Sequence, residues 1–180
     1  GRMIQRSYNE GLDEYYANLG EKNREASDSS LTDRPIFKTK KGRDVFGGGG
    51  ITPDIHVSSI NKINENIQKI LSHPSRLPFK YANKIKSNFD KKGDDFDNFN
   101  ISKHSIDINQ FISFITKEDS LLALSSEDIK EDWSYVENRI LANVASIVWG
   151  KDYYYNILLN QDIQFQKALE SFDQAKKIME

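Results

Sequence analysis

The chain has no cysteine, which excludes disulfides, thiol chemistry and any thiolate-held metal while leaving its compartment open. No stretch approaches the roughly 18 apolar residues of a membrane helix, so no membrane-spanning segment is expected. Charge of a single sign is also missing: 25 basic residues face 27 acidic ones, a formal net charge of −2. A nucleic-acid surface needs a basic excess or stripe, and no nucleic-acid partner is expected. The N-terminus carries no signal-peptide pattern, and its first methionine is Met3, after Gly1-Arg2. That start predicts a fragment or a processed chain.

Motifs that hold chemistry are equally scarce. The histidines His56, His73 and His104 lie too far apart for the i, i+4 spacing of a helix-borne metal site. Alternation of His56 with Ile55 and Val57 predicts that it faces solvent at a strand edge. Asp94, Asp95 and Asp97 resemble a calcium loop loosely, but the glycine and the terminal glutamate of such a loop are missing. Ser59 and Lys62 match the S-x-x-K spacing of penicillin-recognising enzymes without the supporting S-D-N and K-T-G elements; a helix cap followed by a surface lysine is the simpler reading. No catalytic, cofactor-binding or metal-binding residue is assigned, and no cofactor is expected.

What the chain does have is a run of glycines from Gly47 to Gly50, inside Phe37–Val57 (FKTKKGRDVFGGGGITPDIHV). Glycine reaches positive φ without steric penalty and loses more freedom on folding than other residues. A linker would alternate glycine with serine over a longer span, whereas Val45, Phe46 and Ile51 flank this run. It therefore predicts a tight turn or a close backbone approach between two strand-like segments. The run lacks the Gly-Lys-Ser/Thr ending of a phosphate loop and does not fit G-x-G-x-x-G. Upstream, Ile36-Phe37, the Lys40-Lys41-Gly42-Arg43 reversal and Val45-Phe46 predict a hairpin with solvent-exposed turn charges. Tyr8, Leu12, Tyr15 and Tyr16 suggest a short helix or a pinned loop, and Glu21 to Asp33 reads as an exposed loop.

After Val57 the periodicity becomes helical. Ile60, Ile63, Ile67, Ile70 and Leu71 recur at helical spacing, with Ser58 or Ser59 as the expected cap and Pro74 and Pro78 as stops. Phe79, Tyr81, Ala82, Ile85 and Phe89 make a second stripe. Asp90 to Asn100 reads as a loop anchored by Phe96 and Phe99. Ser105 is expected to cap a helix carrying Ile108, Phe111, Ile112 and Ile115. Ser125 with Asp128 resembles a capping box opening a helix from Ile129 through Trp133, Val136, Ile140, Val144, Ile147 and Val148 until Gly150. A short helix from Asp152 and a last one from Asp162 to Ile178 follow. The predicted fold class is α+β, mostly α: a short β-rich piece over 1–57 and a helical bundle over 58–180.

Gly42-Arg43-Asp44-Val45-Phe46 followed by Gly47-Gly48-Gly49-Gly50-Ile51-Thr52-Pro53-Asp54-Ile55 resembles the GR-x-V-[YF]-GGGGI-x-PDI-x-V signature of bacterial carboxy-terminal processing peptidases, the tail-specific serine proteases. Gly1-Arg2-Met3-Ile4-Gln5-Arg6-Ser7-Tyr8 is similar to the end of that family's YYTPSGR-x-IQ-x-x-Y stretch, without its YYTPS opening. Phe79-Lys80-Tyr81-Ala82-Asn83 and Trp149 through Tyr155 resemble the C-terminal extension of one bacterial branch. The resemblance implies an endopeptidase with a serine nucleophile, a lysine base and a PDZ domain. A serine becomes nucleophilic beside a base, and a desolvated lysine can serve as one. In the family both catalytic residues lie upstream of the first stretch, so no serine or lysine here inherits the role. Residues 1–57 would be the end of the protease core, with Gly42, Arg43, Gly47, Gly48, Gly49, Gly50, Ile51, Pro53 and Asp54 as a structural motif in which the glycines turn and Asp54 pins the turn. Implied partners are the upstream catalytic and PDZ domains, a protein substrate and a second copy bound through the helices. The implied location is the cell envelope or periplasm. A helical module that recruits a partner without a part in hydrolysis is the alternative.

Overall fold

The computed structural model describes residues 3–5, 11–17, 34–48, 50–57, 63–89, 95–101 and 105–179. The expectations at Tyr8, 21–33, Ser58, Ser59, Ile60, Lys62, Asp94 and His104 lie outside the described residues. The protein is mostly helical with one short antiparallel sheet, and it divides into two compact units, Gly1–Ser58 and Ser59–Glu180.

The first unit holds helix α1 (Leu12–Ala17) and strands β1 (Ile36–Lys38) and β2 (Asp44–Phe46). The strands pair antiparallel as Ile36↔Phe46, Phe37↔Val45 and Lys38↔Asp44. The expected reversal closes them: Gly42 N–H donates to Thr39 O at 2.9 Å, with Gly42 at φ +84°. The second strand-like segment expected after the glycines, where His56 alternates with Ile55 and Val57, is not a strand, and neither is Ile51-Thr52-Pro53-Asp54 before it. Pro53 has no N–H to give a ladder, and Ile51 and Ile55 are exposed.

The second unit contains α2 (Glu65–Leu71), α3 (Leu77–Ile85) with a 3₁₀ turn at Lys86–Asn88, α4 (Phe96–Ile101), α5 (Ile108–Glu118), α6 (Trp133–Val148), α7 (Asp152–Leu159), α8 (Ile163–Glu170) and α9 (Phe172–Met179). Helix α6 is the hub, packing on α2, α3 and α7, while α3 also meets α5. Val136, Ile140 and Val144 of α6 are fully buried with Ile67, Ile70, Leu77, Phe111, Ile115 and Ile129. Burying each such side chain contributes roughly 1.5–3 kcal/mol. Rings interlock within this core: Tyr81 meets Phe111 edge-on at 5.1 Å, and Phe111 lies 5.4 Å from Trp133. A second aromatic group joins Phe96 to Tyr153 at 4.3 Å and Phe99 to Trp149 at 4.7 Å.

Several boundaries move for physical reasons. The cap of α2 is Asn64, whose side chain accepts from Asn66 N–H. Pro78 stops nothing; it sits in the first turn of α3, where the N–H that proline lacks would have no partner within the helix. Helix α5 is capped by Asp107 rather than Ser105, its carboxylate accepting from Asn109 and Gln110 N–H. The segment read as a loop contains α4, started by Asp95 accepting from Asn98 N–H at 2.9 Å. Ser125 N–H and Oγ both donate to Asp128 Oδ2 at 2.7 Å, yet the helix begins only at Trp133. Asp128 O, which a continuous helix would offer to Asp132 N–H, accepts from Asn64 Nδ2 at 3.4 Å instead. At the other end, Gly150 leaves α6 at φ +122°, a left-handed stop that glycine supplies. The last expected helix divides at Ser171, whose Oγ donates back to Lys167 O at 2.6 Å.

Ile140 is the test of the hub. Ile140→Ala is expected to lower unfolding stability by about 2–5 kcal/mol, read by urea denaturation of the whole chain.

Candidate functional site

The glycine run begins where β2 ends. Gly47 N–H donates to Pro35 O at 2.9 Å, extending the β1–β2 ladder by one step. The next donors change partner: Gly48 N–H reaches Met3 O at 3.0 Å and Gly50 N–H reaches Ile4 O at 2.7 Å. Gly48 and Gly50 both sit at positive φ, +72° and +87°, a conformation that costs an L-residue roughly 1–2 kcal/mol. Gly47 is limited by space instead. A Cβ there would lie 2.7 Å from Phe37 Cε2 and 3.0 Å from Met3 O. The run is thus a turn and a close approach together, and the group that approaches it is the Met3–Ile4 backbone. Gly49 lies outside the described residues.

The remaining motif residues close around this turn. The Arg43 guanidinium pairs with the Asp54 carboxylate across 11 positions, joining the hairpin reversal to the segment beyond the glycines. Both side chains are largely exposed, so the pair fixes geometry more than it adds stability. Arg34 donates to Thr52 Oγ1 at 3.4 Å beside it. Ile51 and Pro53 face outward, as does His56, which lies outside any strand. Two backbone turns and an ion pair make a brace, not a reaction centre.

A different cluster escaped the sequence reading. His73 Nδ1 accepts from Ser75 N–H at 3.2 Å, which leaves Nε2 to donate to Asp119 Oδ2 at 3.2 Å. The trio has the residue types of a nucleophilic triad, but the acceptor nitrogen is taken by the Ser75 amide, not its hydroxyl, so it cannot serve as that hydroxyl's base. The Asp119 carboxyl is held below its ordinary value, first by the Leu121 amide and then by His73. Asp128 is lowered likewise by the Ser125 hydroxyl and amide. No spacing rule links His73 to a residue 46 positions away; only the fold does. Among the described residues no group of three or more His, Asp or Glu side chains could hold a metal ion, and no helix is long and apolar enough to cross a membrane.

No family model matches the chain, and neither a curated protein nor a solved structure matches it.

Two expected outcomes follow from these contacts. Gly47→Val should open the β1–β2 ladder, seen as faster amide exchange at Val45, Gly48 and position 47 itself, whose N–H groups face the ladder or Met3, with α6 amides unchanged. For Asp119 the folded pKa is depressed, so its contribution is present above the ordinary aspartate range and lost as pH falls through the folded value. Asp119→Asn should therefore flatten the acid side of the stability–pH curve measured by urea unfolding.

Proposed function

We propose that this chain is the C-terminal region of a serine endopeptidase of the carboxy-terminal processing type, acting as a non-catalytic structural, assembly or substrate-access region. One observation carries the reading: the two stretches that resemble the family's motifs meet. Met3 and Ile4 of the first accept hydrogen bonds from Gly48 and Gly50 of the second. Motif residues far apart in sequence, yet bonded backbone to backbone, have a reason to occur together. A second support is the surface of the first unit, where Met3, Ile36 and Ile51 are 73%, 62% and 75% exposed. A two-stranded ribbon is marginal alone and gains stability when its apolar face is covered; an adjoining core sheet would cover it. In this reading the nucleophile, its lysine base and the PDZ domain lie upstream in a longer protein of the envelope or periplasm.

A specific feature favours a second reading for the helices, recruitment of a partner. Phe165 and Leu169 of α8 and Phe172 and Ile178 of α9 are exposed, and apolar side chains left exposed on neighbouring helices are the kind of surface a partner covers.

Casein turnover decides between them. Pure chain over 1–180 is expected to cleave nothing, and cleavage by it would overturn the proposal. A longer protein carrying upstream residues should cleave casein, and Gly47→Val should impair that cleavage. Removing 59–180 should also impair it; unchanged casein turnover after that deletion favours recruitment.

A further inference from the structure

A cavity of about 300 Å³ opens in the second unit between both ends of α2, one face of α6 and the α7–α8 turn. Ile63, Leu71 and Leu158 are among its apolar lining residues, and Arg139 and Asp162, of opposite charge, line it as well. These two do not pair with each other. The half-buried Arg139 guanidinium makes its side-chain hydrogen bond to Tyr154 Oη at 2.5 Å and has no carboxylate partner among the described residues. A guanidinium has several donors, so one bond to a phenol leaves capacity for an anion. Asp162 Oδ1 accepts from Phe165 N–H at 2.9 Å as the cap of α8, and its other oxygen is available to a cation.

We propose that this cavity binds a small zwitterion with an apolar body, a free apolar amino acid or a short apolar peptide. Its carboxylate meets Arg139, its ammonium meets Asp162, and its side chain covers Ile63, Leu71 and Leu158. A simple carboxylate would be opposed by Asp162 and a simple amine by Arg139. Only a ligand with both charges satisfies both walls. The inference is independent of the peptidase reading, because it uses residues of the second unit alone.

The test follows amide shifts of the labelled chain on titration with leucine and with leucyl-leucine; the tighter of the two names the source. Saturable shifts confined to the lining at Ile63, Leu71, 135–139 and 158–164 are expected. Arg139→Gln should weaken binding about tenfold or more, the scale of a hydrogen bond to a charged group. Asp162→Asn keeps the helix cap, since asparagine caps as well as aspartate, and should weaken both zwitterions without weakening N-acetyl-leucine. Absence of saturable shifts with both zwitterions overturns the proposal. So does leucinamide or N-acetyl-leucine binding as tightly as leucine. Should Arg139→Gln fail to fold, unchanged affinity in Asp162→Asn is sufficient to overturn it.

Discussion

Helix α6 is at least half-buried at all but one of its residues, and the helical unit depends on that. Of its residues only Ser134 is exposed, and a helix apolar around most of its girth must be enclosed by others. Helices α2, α3 and α7 are those others, each too short to be stable in water without tertiary packing. Even the polar contacts serve this enclosure: Ile106 N–H donates to Glu137 Oε1 at 2.8 Å, and Asn64 N–H to Asp132 Oδ2 at 2.9 Å. Both draw a connecting segment onto the hub.

The helical stripes were legible because burial on a helix imposes its period on the sequence. Val136, Ile140 and Val144 repeat at i, i+4, and each is fully buried. Ends were less legible, because they are set by bonds between distant segments. Ser125 and Asp128 do join as their spacing suggests, but the helix is held back by Asn64, a residue 64 positions earlier. Helix α4 was hidden for another reason. Asp95, Phe96 and Phe99 carry a cap and an i, i+3 apolar pair, but the acidic, glycine-containing surroundings outweighed them locally. Packing of Phe99 against Trp149 at 4.7 Å supplies what local propensity lacks.

At the glycine run the sequence revealed the need without the cause. Four adjacent glycines imply a backbone that turns or is closely approached, and both occur. That Gly48 and Gly50 turn while Gly47 makes room could not be read from identical residues. Nor could the partner: backbone acceptors leave no side-chain pattern, so Met3 and Ile4 are invisible as the recipients of these bonds. The Arg43–Asp54 pair lies between these cases. Both residues lie in the one stretch around the glycines, but the reversal that lets them meet is a property of the folded hairpin. His73 and Asp119 show the limit, since nothing in either one's neighbourhood marks the other.

Among the described residues, the two units bury apolar surface very unequally, and this bears on what each can do. The second encloses a continuous core from Ile67 to Ile157, enough to hold α6 and its neighbours in place. Among the described residues of the first, Gly47 alone is buried, and a glycine has no side chain to contribute to a core. Its order rests on directional bonds: the strand ladder, the turns onto Met3 and Ile4, and the Arg43–Asp54 pair. Such bonds specify a shape well but add only about 0.5–1.5 kcal/mol each after competition with water. A brace of this kind defines a surface more readily than it sustains a fold. Met3, Ile36 and Ile51, all exposed on this unit, are apolar side chains that these bonds hold in place without enclosing.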